Sequence, residues 1–173
     1  MAGNQDMRTP PEFWDVLYAE FHFHIDVAAS NNNNMCARWY TAEDDALSDQ
    51  RSWVAVYGYS AYCNPPFRTP GMMPWVVKAH VETLLVPGTT VVVIGPNSGA
   101  EWMAYCERHA AEIRNLSPRV QWLNPDGSRS GNNMHDNVAV VFRYKPDGRG
   151  PAVRYTWYWQ EEMKKMETEI EGL

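Results

Sequence analysis

No two of the three cysteines, Cys36, Cys63 and Cys106, stand close enough to form a CxxC pair. That spacing argues against a structural zinc site or a disulfide framework and leaves free thiols suited to a reducing compartment. Long hydrophobic runs are missing too. No window approaches the roughly 20 apolar residues of a membrane span, and the opening "MAGNQDMRTPPEF" holds no apolar h-region. A soluble, cytoplasmic protein with no membrane partner is expected. Positive charge is scarce, with 15 Lys and Arg against 21 Asp and Glu and a formal net charge of -6, which argues against a basic sheath for bulk nucleic-acid binding. The acidity is concentrated in "AEDDALSD" and the tail "QEEMKKMETEIEGL". DNA therefore stays open as a partner, with Arg8, Arg38, Arg51, Arg68, Arg108, Arg114, Arg119, Arg129 and Arg143 available to line a groove.

Apolar material is plentiful. In 173 residues, 45% hydrophobic and 13% aromatic content suffices for one core, so residues 1–173 are expected to form a single domain. Its core spans about 8–144, and a C-terminal strand and charged helix occupy 151–173. "TPPEFWDVLYAEF" predicts an amphipathic helix that Thr9 can cap. "FHFHIDVAAS" predicts a strand of about five residues ending at Asp26, with His22 and His24 on one face. The run Asn31 to Asn34 reads as a surface loop, "ARWYT" as a short strand, and "AEDDALSDQ" as a loop or helical turn. A strand inside "WVAVYGYSAYC", a helix over "PWVVKAHVETLL" and a doubly buried strand at "TTVVVIG" follow. A helix over "AEWMAYCERHAAEI" leads to strands at "RVQWL" and "NVAVVFRY", an edge strand at "VRYTWYW" and a charged terminal helix. The alternation predicts an α/β fold with a mostly parallel mixed sheet and an antiparallel end. The five histidines show no ligand spacing, so no metal site is expected.

Chemistry is concentrated in Asn64-Pro65-Pro66-Phe67, directly after an apolar run. Each proline fixes its own φ and pushes the preceding residue into extended conformations, so the backbone stays stretched beyond the sheet. The Pro65 carbonyl then has no ladder partner. With the Asn64 side-chain oxygen it offers two acceptors at a strand's carboxyl end, where open α/β sheets bind ligands. Phe67 supplies a flat apolar face. Two acceptors beside a ring suit a planar heterocycle bearing an exocyclic NH2, whose delocalised lone pair is freed when both N–H groups are held. The plainer account is a proline-terminated strand with an Asn cap and a core Phe.

The ordered segments "RTPPEFWDVLYAEFHFHIDVAAS", "CARWYTAEDDAL", "CNPPF", "PWVVKAHVETL", "TTVVVIGPNSGAEWM", "AEIRNLSPRVQWL" and "NVAVVFRY" resemble the phage-type DNA N-6-adenine methyltransferases, the phage Dam family. The resemblance runs from about Arg8 to Tyr144. It implies a Rossmann-like S-adenosylmethionine-dependent methyltransferase fold and methyl transfer to a flipped adenine of DNA. By the same resemblance Asn64, Pro65, Pro66 and Phe67 form the catalytic motif. Thr9 and Pro10 would fold over the methionine part of the cofactor, and Asp26, Ala28, Ala29 and Ser30 would form the cofactor-binding turn. Asp44 or Asp45 would meet its ribose hydroxyls or adenine amine, since an ionised carboxylate accepts from both. Arg68, next to the catalytic motif, is a candidate phosphate contact, and the protein would act in a bacterial host as a phage or prophage product. The chain departs from common methyltransferase patterns in two places. No GxG follows Asp26, and Asn97-Ser98-Gly99-Ala100 replaces the polar, often basic residues usual after a proline such as Pro96.

Two other readings fit the same residues. One is a lapsed cofactor-binding or DNA-mimicking interaction protein that uses its acidic face. The other is a cytosine-N4 methyltransferase, because the Asn-Pro-Pro-aromatic motif also serves that acceptor. Oligomeric state and the recognised DNA sequence are open on sequence grounds.

Overall fold

The computed structural model describes residues 7–67, 70–131, 136–144 and 150–172. Six strands form one sheet: β1 (Ile25–Asp26), β2 (Ser60–Cys63), β3 (Thr90–Pro96), β4 (Glu112–Ser117), β5 (Asn137–Arg143) and β6 (Val153–Tyr158). Their order is β1-β2-β3-β5-β4-β6. The β1–β2, β2–β3 and β4–β6 pairs are parallel, whereas β5 runs antiparallel to both β3 and β4. The fold is therefore the expected α/β one, with a mixed, mostly parallel sheet. Helices α1 (Pro11–Phe21), α2 (Met72–Leu85), α3 (Glu101–His109) and α4 (Trp159–Glu171) cover its two faces.

β3 shows why both faces are covered. Side chains alternate along a strand, so Val91 and Val93 enter one core with Val76 and Ala79 of α2 and Cys106 of α3. Val92 and Ile94 enter the other with Phe13 and Leu17 of α1 and Trp159 at the start of α4. A strand buried on both sides carries no polar face, which is the pattern of "TTVVVIG". At its end Gly95 lets α2 and α3 close in: an added Cβ would lie 2.8 Å from Met72 Cε and 2.9 Å from Trp102 Cη2.

Several local expectations give way to tertiary contacts. Strand β4 is "EIRNLS", not "RVQWL", and α3 stops at His109 with Ala110 extended. The charges of Glu112 and Arg114 imitate a helix surface. Instead, Arg114 is buried in the sheet and neutralised by Glu20 at 2.6 Å and Glu112 at 2.8 Å. Pro118 then ends the strand, and Leu123 keeps only isolated antiparallel bridges to Arg8 and Arg129. β1 is two residues long, so His22 and His24 share no strand face. His22 is the left-handed C-cap of α1 at φ 47, while His24 Nδ1 accepts from Ser60 N at 3.2 Å. "ARWYT" adds a single bridge between Trp39 and Asp26. Thr9 is not the cap of α1, whose N-cap is Pro10.

Five of the candidate groove arginines are held by acidic side chains. Arg114 and Arg143 both pair with Glu20 and Glu112, Arg129 pairs with Glu12, Arg119 with Asp136 and Arg51 with Asp44. Arg68 lies outside the described residues. Among the described residues no helix is long and apolar enough to cross a membrane.

One buried acid fixes the segment before β2. Glu82 of α2 is 4% exposed and accepts from Trp53 N at 2.9 Å, Ser52 Oγ at 3.1 Å and Val54 N at 3.3 Å. Lys78 supplies the counter-charge at 3.0 Å. Glu82→Ala strands a buried cation and two backbone donors, so it is expected to lower unfolding stability by about 3–5 kcal/mol. Urea unfolding checks this, and an unchanged midpoint would show that the acid does not hold the segment.

Candidate active site

Parallel pairing brings two chain exits together. β1 and β2 align Ile25 with Ala61 and Asp26 with Tyr62, and Val27 N continues the ladder to Tyr62 O at 2.9 Å. The turn after Asp26 and the segment Asn64-Pro65-Pro66-Phe67 therefore leave the same end of the sheet side by side. Beyond Cys63 the chain leaves the β2–β3 ladder, as two consecutive prolines require. Asn64 is half-buried and Pro65 buried. The Asn64 carboxamide has no hydrogen-bond partner among the described residues. Phe67 keeps 37% of its surface exposed, so its ring is open to a flat partner rather than packed in the core.

A cavity of about 520 Å³ opens at this end of the sheet. One wall is the backbone turn at 27–32, with Ala28, Ala29 and Ser30; the other is formed by residues 40–43 and 45–47; Pro66, Pro70 and Trp75 complete it. Small side chains in the first wall let a ligand approach the main chain closely. Ser30 N and Oγ both donate to Asn33 Oδ1, at 2.6 and 3.1 Å, so the asparagine run is folded onto the turn. Asn31 and Asn32 thereby reach the cavity, a placement that a low-complexity loop did not announce.

Asp26 stands behind this wall rather than on it. The carboxylate is 3% exposed and accepts from Ala28 N at 3.3 Å and Met35 N at 3.1 Å, tying the two ends of the turn. Burial pushes its carboxyl up to about 7, against the downward pull of the Met35 and Ala28 amides. Among the described residues no basic side chain offsets that burial. A positively charged ligand nearby would favour the ionised form.

The acidic run separates its two aspartates. Asp44 closes a capping box, accepting from Thr41 N at 2.8 Å and Thr41 Oγ1 at 3.0 Å. Those bonds hold its carboxyl below the usual range. Asp45 follows in the left-handed region at φ 50 and, with Glu43, lines the cavity, which Asp44 does not. Glu43 had no separate signal beyond its place in the acidic run. Thr9 and Pro10 do not line the cavity; the Thr9 hydroxyl is buried against Tyr62 Oη at 2.8 Å. Their segment adjoins the asparagine loop through Asn33 Nδ2, which donates to Met7 O at 3.4 Å.

The arrangement combines a buried carboxylate, wall carboxylates able to accept from hydroxyls, and a free amide–carbonyl pair beside an exposed ring. Comparison with known proteins gives the same direction. The family model for DNA N-6-adenine-methyltransferase (Dam) matches residues 2–166. The chain is 26% identical over 149 residues to the DNA N-6-adenine-methyltransferase of Haemophilus phage HP1 (strain HP1c1), covering 83% of this chain and 82% of that protein. It is 36% identical over 76 residues to the Escherichia coli (strain K12) protein named "Putative methyltransferase YfdM", covering 43% of this chain and 76% of that one.

Proposed function

Since the chain belongs to the DNA N-6-adenine-methyltransferase (Dam) family, we propose that the cavity beside Asn64-Pro65-Pro66-Phe67 is where its cofactor and target base meet. The protein is an adenine-specific DNA methyltransferase, and DNA is its substrate. Methyltransferases of this kind use S-adenosylmethionine, which when bound supplies an electrophilic methyl group on a sulfonium. The residues at hand fit such a group. Asp26, buried without a counter-cation, suits its positive charge; Asp45 and Glu43 suit its ribose hydroxyls or adenine amine; Ala28, Ala29 and Ser30 leave room for it at the wall. Thr9 and Pro10 support this turn from the N-terminal side, and Asp44 shapes the loop that presents Asp45.

The adenine must leave the stacked duplex before its amine can be reached. Asn64 Oδ1 and the Pro65 carbonyl then accept its two N–H bonds. As positive charge grows on the nitrogen these acceptors bind more strongly, which is the differential stabilisation that raises a rate. Phe67 stacks on the base, an interaction worth about 1–3 kcal/mol. Arg68, next to the motif in sequence, is the candidate phosphate contact. The unit is read as one methyltransferase domain over 1–173 acting inside a bacterial cell.

The observation that carries this reading is the juxtaposition, at one sheet end, of the unpartnered Asn64 amide and a cavity whose wall includes Pro66. Incubation with tritiated S-adenosylmethionine and unmethylated DNA, followed by nuclease digestion and nucleoside separation, tests it. Label in N6-methyl-2′-deoxyadenosine is expected. Label in N4-methylcytosine, or none in DNA, would overturn it in favour of a cytosine enzyme or a binding protein.

A further inference from the structure

β2, β3 and β4 all run the same way, since β3 is parallel to β2 and both β3 and β4 are antiparallel to β5. The chain leaving β4 at Ser117 therefore emerges at the same end of the sheet as Asn64. There it builds a short two-stranded ribbon. Leu123 and Arg129 form an antiparallel bridge, while Asn124 N donates to Ser128 O and Ser130 N to Trp122 O, both at 2.8 Å. Its tip is fixed as well. Gly127 turns at φ 83, Ser128 N and Oγ donate to Asp126 Oδ1 at 2.9 and 2.6 Å, and Asn124 Nδ2 donates to Ser128 Oγ at 2.9 Å. Two anchors hold the base. Trp122 is buried edge-on against Phe13 and donates its Nε1–H to Asn137 Oδ1 at 3.1 Å. Leu123 exchanges backbone hydrogen bonds of 2.8 and 3.0 Å with Arg8, whose neighbour Thr9 meets Tyr62 of β2. Residues 125–129 nevertheless stay exposed.

The two sides of this sheet end differ in charge. The cavity lies over the core that contains Ala46 and Trp75 and carries Glu43 and Asp45, which repel phosphates. The ribbon lies over the other core, with Trp122 and Phe13, and brings Arg119 and Arg129. Their side chains are 55% and 58% exposed, and their partners, Asp136 and Glu12, are themselves solvent-accessible. Ion pairs of that kind are weak and screened by salt, so a phosphate can replace the carboxylate. Arg129 uses only Nη2 on Glu12, and the ribbon's own acid, Asp126, is held by Ser128 and faces the charge of Arg8. The scale also fits. Neighbouring strands lie about 4.8 Å apart, so Asn137 on β5, two strands from β2, stands about 10 Å from the line of Asn64. A DNA major groove is about 12 Å wide and admits a two-stranded ribbon.

We propose that the ribbon from Trp122 to Ser130 is the DNA-docking element of this enzyme: it lies in a groove beside the flipped adenine while Arg119 and Arg129 exchange their carboxylate partners for backbone phosphates. The inference rests on adenine being methylated at Asn64.

Three variants are compared with the wild type by titrating a fluorescent unmethylated duplex of random sequence between about 50 and 200 mM salt. Each phosphate contact contributes about 0.9 to the slope of log K against log salt. R119A/R129A is therefore expected to lower the slope by about 1.8, and to lose about tenfold less affinity than the wild type over that range. R119K/R129K keeps the charges and should keep the slope. Replacing Pro125–Ser128 by four glycines spares both arginines, so the slope should hold while the loosened tip binds DNA about 5- to 10-fold more weakly. All three should melt normally and bind S-adenosylhomocysteine as the wild type does. A wild-type slope in R119A/R129A would overturn the phosphate contacts, and wild-type DNA affinity in the glycine variant would overturn the groove docking. Either result beside normal methylation by the wild type strikes the docking alone; a wild type that places no label in DNA would overturn the catalytic reading and the docking with it.

Discussion

Replacing Asn64 by alanine is expected to lower the single-turnover rate of methyl transfer by about 100- to 1,000-fold, the usual effect of removing one preorganised transition-state contact. Affinity for S-adenosylhomocysteine should change less than about threefold, because the carboxamide makes its interaction with the adenine amine as charge develops, not with the cofactor. The side chain has no partner among the described residues, so truncation breaks no internal hydrogen bond there and the fold should melt normally. A rate within about threefold of wild type at saturating cofactor and DNA would remove Asn64 from the chemistry. Asn64→Asp separates the parts of the interaction: it keeps an acceptor oxygen and is expected to retain more activity than the alanine variant.

Lowering the pH from 7 to 6 is expected to weaken cofactor binding by about fivefold, through Asp26. In the free protein burial raises this carboxyl from 3.8 to about 7, which corresponds to roughly 4 kcal/mol. A carboxyl whose folded-state value exceeds its unfolded value binds its proton more tightly when folded. Its contribution to the stability of the free protein is thus complete below about pH 4 and is lost as pH rises through about 7. A cationic ligand near Asp26 reverses this preference by favouring the ionised form. Below pH 7, binding should therefore release a proton, measurable by calorimetry in buffers of different ionisation heat. Asp26→Asn should abolish both the proton release and the slope, and should weaken binding at pH 8 by about tenfold or more. Identical pH profiles for the two proteins would show that Asp26 only ties Ala28 to Met35.

The features legible in the sequence are those fixed by local chemistry. "TTVVVIG" could bury both faces only as a central strand, and consecutive prolines after Cys63 could only leave the sheet. Both follow from steric and hydrophobic rules that need no neighbours. The strand "EIRNLS" is not legible locally because Arg114 is neutralised by Glu20, far off in sequence, as well as by Glu112. In the site, the NPPF motif and the Asp26 turn stood out by composition, and strand pairing set them side by side. That Asp45 lines the cavity while Asp44 closes a capping box is set by the fold and not by composition. Trp75 carried no signal of its own, since a tryptophan near the start of an amphipathic helix is ordinarily core. Its place in the cavity lining comes from the fold alone.

A crystal structure with sinefungin, whose carbon-bound amine stands in for the sulfonium and its methyl group, tests the central juxtaposition most directly. The ligand should lie between the turn at 27–32 and the wall at 40–47, with that amine directed toward the Asn64 carboxamide. A ligand seated elsewhere, or an Asn64 side chain turned inward and sealed beneath packed residues, would contradict the account.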